Sequence, residues 1–80
     1  MSQRYPKSHR VTVPPDTPQP SDRLLSAIQR DGLIVPILVH ELMDGTYHAA
    51  DTRQGERVLA CRRLGFETIL VETEWEDDES

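Results

Sequence analysis

From Thr46 to Thr73 the chain has room for one strand, one helix and a second strand, and for little else. Asp44-Gly45 is the strongest two-residue hairpin signal in the sequence, so Thr46-Tyr47-His48-Ala49-Ala50 reads as a return strand. Asp51 stands where a helix cap belongs, and Gln54 three residues on completes the pattern of a capping box. The helix that follows runs from near Thr52 to Leu64, and Gly65 stops it. Glu67 to Thr73, with its apolar run Ile69-Leu70-Val71, is the closing strand. The helix is long enough to carry a parallel crossover between the third and fourth strands of the chain. A helix set between strands must bury its apolar stripe on a sheet, so the fold class is α/β (α+β).

The first half supplies the remaining parts. Arg10-Val11-Thr12-Val13 is a short strand, with Val11 and Val13 on one face. Four prolines in residues 14–20 forbid helix and ladder alike and make that stretch an extended loop. Ser21 is an N-cap with Asp22 in the first turn, and Leu24, Leu25 and Ile28 recur at helical spacing, so residues 22–30 form an amphipathic helix. Gly32 ends it. Pro36 to Leu42 opens with a continuous apolar run, which predicts a strand covered on both faces. The sum is a small mixed sheet of about four strands with two packed helices. The expected core is Leu25, Ile28, Ile37, Val39, Leu64, Ile69 and Val71.

Eighty residues allow one domain with a modest core, built from Leu, Ile and Val because aromatic residues are scarce. No apolar run approaches the roughly 20 residues of a membrane span, and the N-terminus lacks a secretory pattern. A single cysteine excludes an internal disulfide framework and fits a reducing compartment. Charge divides the chain further. Residues 72–80 hold six acids and no base, so of the net charge of −5 the other 71 residues carry +1. Arg4, Lys7 and Arg10 make the first ten residues basic. The expected organisation is a basic flexible arm at 1–9, a folded domain at 10–73 and an acidic tail at 74–80. This balance argues against a general DNA-binding surface, which needs clustered cations.

The start of the second helix is the candidate site. Backbone N–H groups there have no partner inside the helix, and the helix dipole adds partial positive charge. Arg57 brings a planar fork suited to phosphate. The alternative is a plain amphipathic helix with solvated arginines. Asp51 is a helix cap or an anchor for a metal–nucleotide complex, and Glu56 a first-turn acid or a general base. Cys61 lies more than a turn into the helix and reads as a buried, inert thiol. His9, His40 and His48 show no metal-site pattern, and His40 and His48 read as a strand pair across the hairpin. Trp75, among the tail acids, either folds back or anchors a partner.

The stretch from Leu25 to Val39, with Gly32-Leu33 and Pro36-Ile37, resembles the opening of the ParB/sulfiredoxin-like fold. Asp44-Gly45-Thr46-Tyr47 resembles its hairpin, and Gly55-Glu56-Arg57 with Ala60 its Gly-Glu-Arg-Arg box. Leu64 to Ile69 resembles its exit into the last strand, so the likeness spans about residues 10–72. Members of that family bind nucleotide phosphates around the box: ParB proteins use CTP, sulfiredoxin and a free-serine kinase ATP. The resemblance therefore implies a ligand site at Asp51, Arg53, Gln54, Gly55, Glu56 and Arg57, with CTP or ATP and Mg as ligand. It also implies a cytoplasmic, ParB-like domain standing alone in plasmid or phage DNA maintenance or regulation. The box is altered. Gly55 comes late after Tyr47, the expected glycine can fall on Gln54 instead, and Val58 replaces the second arginine. The helix-turn-helix and dimerisation domains of ParB proteins find no counterpart in the sequence. No residue pair supplies both base and nucleophile, so no catalytic residue is assigned. The competing expectation is an interaction protein, a small acidic inhibitor or DNA-charge mimic. It keeps the fold, has lost the nucleotide site, and engages a protein through Glu74, Trp75, Glu76, Asp77, Asp78 and Glu79. Contact with DNA would be indirect or weak, and contact with membrane is not expected.

Overall fold

The computed structural model describes residues 2–73, so the tail at 74–80 and Trp75 lie outside the described residues. The elements are β1 (Ser2–Arg4), a 3₁₀ turn (Ser8–Arg10), β2 (Val11–Thr12), α1 (Asp22–Asp31), β3 (Ile37–Glu41), β4 (Tyr47–Ala49), α2 (Thr52–Arg63) and β5 (Val71–Thr73). The strands form one mixed sheet in the order β1-β5-β3-β4-β2. β1–β5 and β3–β4 are antiparallel, and β3–β5 and β4–β2 are parallel.

The sheet thus has five strands, not four. The additional one lies in the expected flexible arm, which is corrected for residues 2–9. Ser2, Gln3 and Arg4 pair with Thr73, Glu72 and Val71. The pairing continues below the strand: Ile69 N donates to Pro6 O at 3.1 Å and Ser8 N to Glu67 O at 2.9 Å. A polar strand of this kind is held by backbone hydrogen bonds and leaves no apolar alternation in the sequence. The last strand itself is shorter than expected, Val71–Thr73, with Thr68 joined to Lys7 in an isolated antiparallel bridge beyond it.

The crossover is also corrected. β5 joins the sheet beside β3, parallel to it, with Ile37 opposite Val71 and Val39 opposite Thr73. α2 therefore connects β4 to β5 across β3, and the two strands it joins run antiparallel, not parallel as expected. At the hairpin tip Leu42 N donates to Thr46 O at 2.8 Å and Gly45 N to Leu42 O at 3.1 Å, so the loop is Met43-Asp44-Gly45 and has three residues, not two. Gly45 at φ 88° fills the left-handed position that closes such a loop.

Both predicted caps of α1 are present: Ser21 Oγ accepts from Leu24 N at 3.2 Å, and Gly32 N donates to Ile28 O at 2.7 Å. At the far end of α2, Gly65 N donates to Arg62 O and Phe66 N to Cys61 O, the double closure of a Schellman motif. α2 lies against β3 and β4, and α1 packs against α2. The core holds the expected Ile28, Ile37, Val39, Ile69 and Val71, joined by Val11, Tyr47, Ala49, Val58, Ala60 and Cys61. Leu25 and Leu64 are only partly buried at its margin. β3 buries one face, Ile37 and Val39, while Leu38 on the other is half-buried and His40 exposed, which corrects the expectation of two covered faces. Among the described residues no helix is long and apolar enough to cross a membrane.

Candidate functional site

The six residues Asp51, Arg53, Gln54, Gly55, Glu56 and Arg57 occupy the first turns of α2 but do not converge on its tip. Asp51 caps the helix, its Oδ1 accepting from Gln54 N at 2.9 Å. The reciprocal half of the expected capping box is not formed. Gln54 turns toward the sheet, where its Oε1 accepts from Leu38 N at 3.1 Å and from Arg57 at 3.2 Å. Gly55 N donates to Asp51 O at 2.9 Å as an ordinary helical bond.

Gly55 is buried beneath the proline loop. A Cβ at this position would lie 2.7 Å from Thr17 Oγ1, 3.1 Å from Thr17 Cγ2 and 3.2 Å from Pro14 Cδ. The glycine thus permits close approach of the chain's own loop, where the resemblance implied a ligand phosphate. Thr17 Oγ1 is buried there with no hydrogen-bond partner among the described residues.

Arg57 turns away from the tip as well. Its guanidinium donates to Pro36 O at 3.3 Å and to Val35 O, fastening the loop after α1 to α2. Burial pushes its pKa down from the usual arginine value. Glu56 reaches the other helix, its Oε2 accepting from Ser21 N at 3.1 Å. Arg53 is exposed.

Arg53, Glu56 and Arg57 meet Ser21, Arg23, Leu24 and Ala27 of the α1 region around an open groove of about 410 Å³. Three arginines and one glutamate give this groove a positive balance. A smaller, largely apolar groove of about 220 Å³ adjoins it and shares Leu24, Ala27 and Arg57. Beyond these it is lined by Ile28, Leu33, Ile34 and Val35, among others. Ile34 and Val35 are 69% and 63% exposed. Together the two form a trough between the helices with a cationic end and an apolar end.

Sequence reading missed α1's share of this trough. A signal was available: Ser21-Asp22-Arg23 and Asp51-Thr52-Arg53 each place an arginine two residues after a cap. Cys61, by contrast, is as expected, fully buried, with its thiol pushed up to about 11 by desolvation. It therefore stays protonated and unreactive at neutral pH.

Neither a protein-family model nor a curated protein matches the sequence. Solved structures do. The chain superposes with a TM-score of 0.71 and 24% identity on C-terminally truncated chromosome-partitioning protein ParB from Caulobacter crescentus, complexed with CTP-γ-S. That match covers 98% of this chain and 47% of the ParB chain. The same ParB complexed to the centromeric parS site gives 0.68 and 25% identity over 94% of this chain and 42% of that one. Sulfiredoxin from Arabidopsis thaliana gives 0.68 and 26% identity over 92% of this chain and 85% of that one. The chain spans less than half the length of the ParB structures it matches.

Proposed function

We propose that this chain, which has the ParB/sulfiredoxin-like fold, binds a phosphate-bearing ligand, a nucleotide in the first instance, in the trough between α1 and the start of α2. The observation that carries the reading is the grouping of Arg23, Arg53 and Arg57 around one groove with a single acid, Glu56. Guanidinium groups are the side chains best matched to phosphate oxygens. The adjoining apolar groove supplies a surface for a flat base. The ParB structure holding CTP-γ-S supports a nucleotide as the ligand, with Mg as its usual companion. The setting we assign is cytoplasmic, in DNA maintenance of a bacterium, plasmid or phage, in keeping with a chromosome-partitioning protein among the similar structures.

A second reading rests on specific contacts. Pro14 and Thr17 roof Gly55, the Gln54 and Gly55 amides are taken up within the helix start, and Arg57 is engaged by carbonyls. Those contacts favour a scaffold that has lost the nucleotide site, for which engaging a protein through the acidic tail would be the remaining role.

Calorimetric titration with CTP, ATP and GTP, with and without Mg²⁺, separates the two. Arg53→Ala removes a groove cation that holds no loop, and a lost charge-assisted contact of about 1.5–3 kcal/mol weakens binding roughly ten- to a hundredfold. Arg62→Ala, at the far end of α2, leaves binding almost unchanged. No binding by the parent at about millimolar nucleotide, a free energy near −4 kcal/mol, overturns the proposal and leaves the scaffold.

A further inference from the structure

We propose that His40 and His48 form a two-ligand site for a divalent transition ion of the zinc, nickel and copper class, on the sheet face away from the helices. The two residues stand directly opposite each other in the antiparallel pair of β3 and β4. Their neighbours Val39 and Ala49 are fully buried in the core, so alternation places both histidines on the opposite face. Side chains in that relation have Cβ atoms about 4.5–5.5 Å apart, close enough for two imidazoles to share an ion at roughly 2.0–2.1 Å from each nitrogen.

Beyond this strand pairing, the hydrogen bonds of Thr12 fix the His48 ring. Thr12 Oγ1 donates its proton to Tyr47 O at 3.2 Å. With its proton there, it accepts from His48 Nδ1, 2.7 Å away, in the tautomer that carries hydrogen on Nδ1. That tautomer leaves a bare lone pair on Nε2 for the metal. A ligating histidine is held this way, by a hydrogen bond through the nitrogen that does not bind the metal. β2 contributes Thr12, β4 contributes His48 and Tyr47, and β3 contributes the exposed His40. The three strands thus build an oriented ligand beside a freely adjustable one.

No group of three or more His, Cys, Asp or Glu suited to a metal occurs among the described residues. The described residues accordingly supply two nitrogens, and water or another solute is left to fill the other positions. Imidazole pairs select Zn²⁺, Ni²⁺ or Cu²⁺ over Ca²⁺ and Mg²⁺, which take oxygen ligands.

The test is calorimetric titration of the full chain with Zn²⁺ and Ni²⁺ at about pH 7.5, and with Ca²⁺ as a control for binding by carboxylates. The parent is expected to take one equivalent of either transition ion and none of Ca²⁺ at the same concentrations. His40→Gln and His48→Gln each weaken binding at least about tenfold, Thr12→Val weakens it several-fold by releasing the ring, and His9→Gln leaves it unchanged. NMR of the parent gives a readout that needs no variant: sub-stoichiometric Ni²⁺ should broaden His40 and His48 ring signals and spare His9. Unchanged binding in His40→Gln, broadening confined to residues 74–80, or no binding at about 1 mM Zn²⁺ (weaker than −4 kcal/mol) overturns the proposal.

Discussion

Arg57 near the start of α2 and Arg62 near its end make the same kind of contact. Arg57 donates to Val35 O and Pro36 O, and Arg62 donates to Ser8 O at 3.1 and 3.2 Å and to Val11 O. One fastens the loop after α1, the other the 3₁₀ turn that leads into β2. What differs is the surroundings. The Arg57 end opens onto a groove shared with Arg23 and Arg53, whereas Arg62 reaches across to backbone on the chain's first segment. An arginine beside a helix start is thus no evidence of a phosphate site by itself. What sets the Arg57 end apart is that Arg23 and Arg53 gather around the same space.

The comparison breaks most visibly if α1 is loosened, because α1 forms one wall of the Arg57 end only. Ile28, 5% exposed, is its buried anchor. Ile28→Ala should cost about 2–5 kcal/mol in urea unfolding. If the variant unfolds like the parent, α1 does not hold the groove.

Next in size are the two arginines themselves. Arg57→Ala takes the guanidinium from Val35 O and Pro36 O, and Arg62→Ala takes it from Val11 O and Ser8 O, of which Ser8 O keeps the Val11 N–H; with partial exposure each should cost about 1–2 kcal/mol. A cost at one end only would show that the two clamps are not equivalent. A smaller effect is expected at Gly55. Gly55→Ala gains about 1 kcal/mol of helix propensity but crowds Thr17 and Pro14, an overpacking cost of about 1–3 kcal/mol, for a net loss near 1 kcal/mol. Adding Thr17→Ala should recover it, and a loss that persists in the double variant would place the strain elsewhere.

The last effect is read as a pH dependence, flat near neutrality, and comes from the middle of the helix. Burial raises the Cys61 thiol from 9.0 to about 11, so the folded chain favours the neutral form. That contribution is complete below pH 9.0 and is lost as pH rises through about 11. Cys61→Ser should lessen the alkaline loss of stability measured by melting. A parent that melts equally at pH 8 and pH 11 contradicts it.

Caps and periodicities were legible because they are local. Ser21, Gly32, Asp51 and Gly65 act on hydrogen bonds within a turn or two of themselves, and all four stand where the sequence reading placed them. The apolar spacing of Ile28, Ile37, Val39, Ile69 and Val71 likewise gave the core. β1 was not legible, since backbone pairing with β5 holds its three polar residues. The contacts of Arg57 lay beyond the same limit: residue type supplied the fork, but its carbonyl partners lie 21 and 22 residues away.

By itself, then, the sequence determined two capped helices, a hairpin, an apolar core and a ParB/sulfiredoxin-like layout of these parts. Tertiary structure alone decided that β5 docks beside β3, that the proline loop covers Gly55, and that Arg23 joins Arg53 and Arg57 around one groove. The reason is range. Caps and alternation are settled by neighbours along the chain, while the direction of a long, flexible arginine is settled by whichever distant carbonyl, carboxylate or open groove the packed fold brings within its reach.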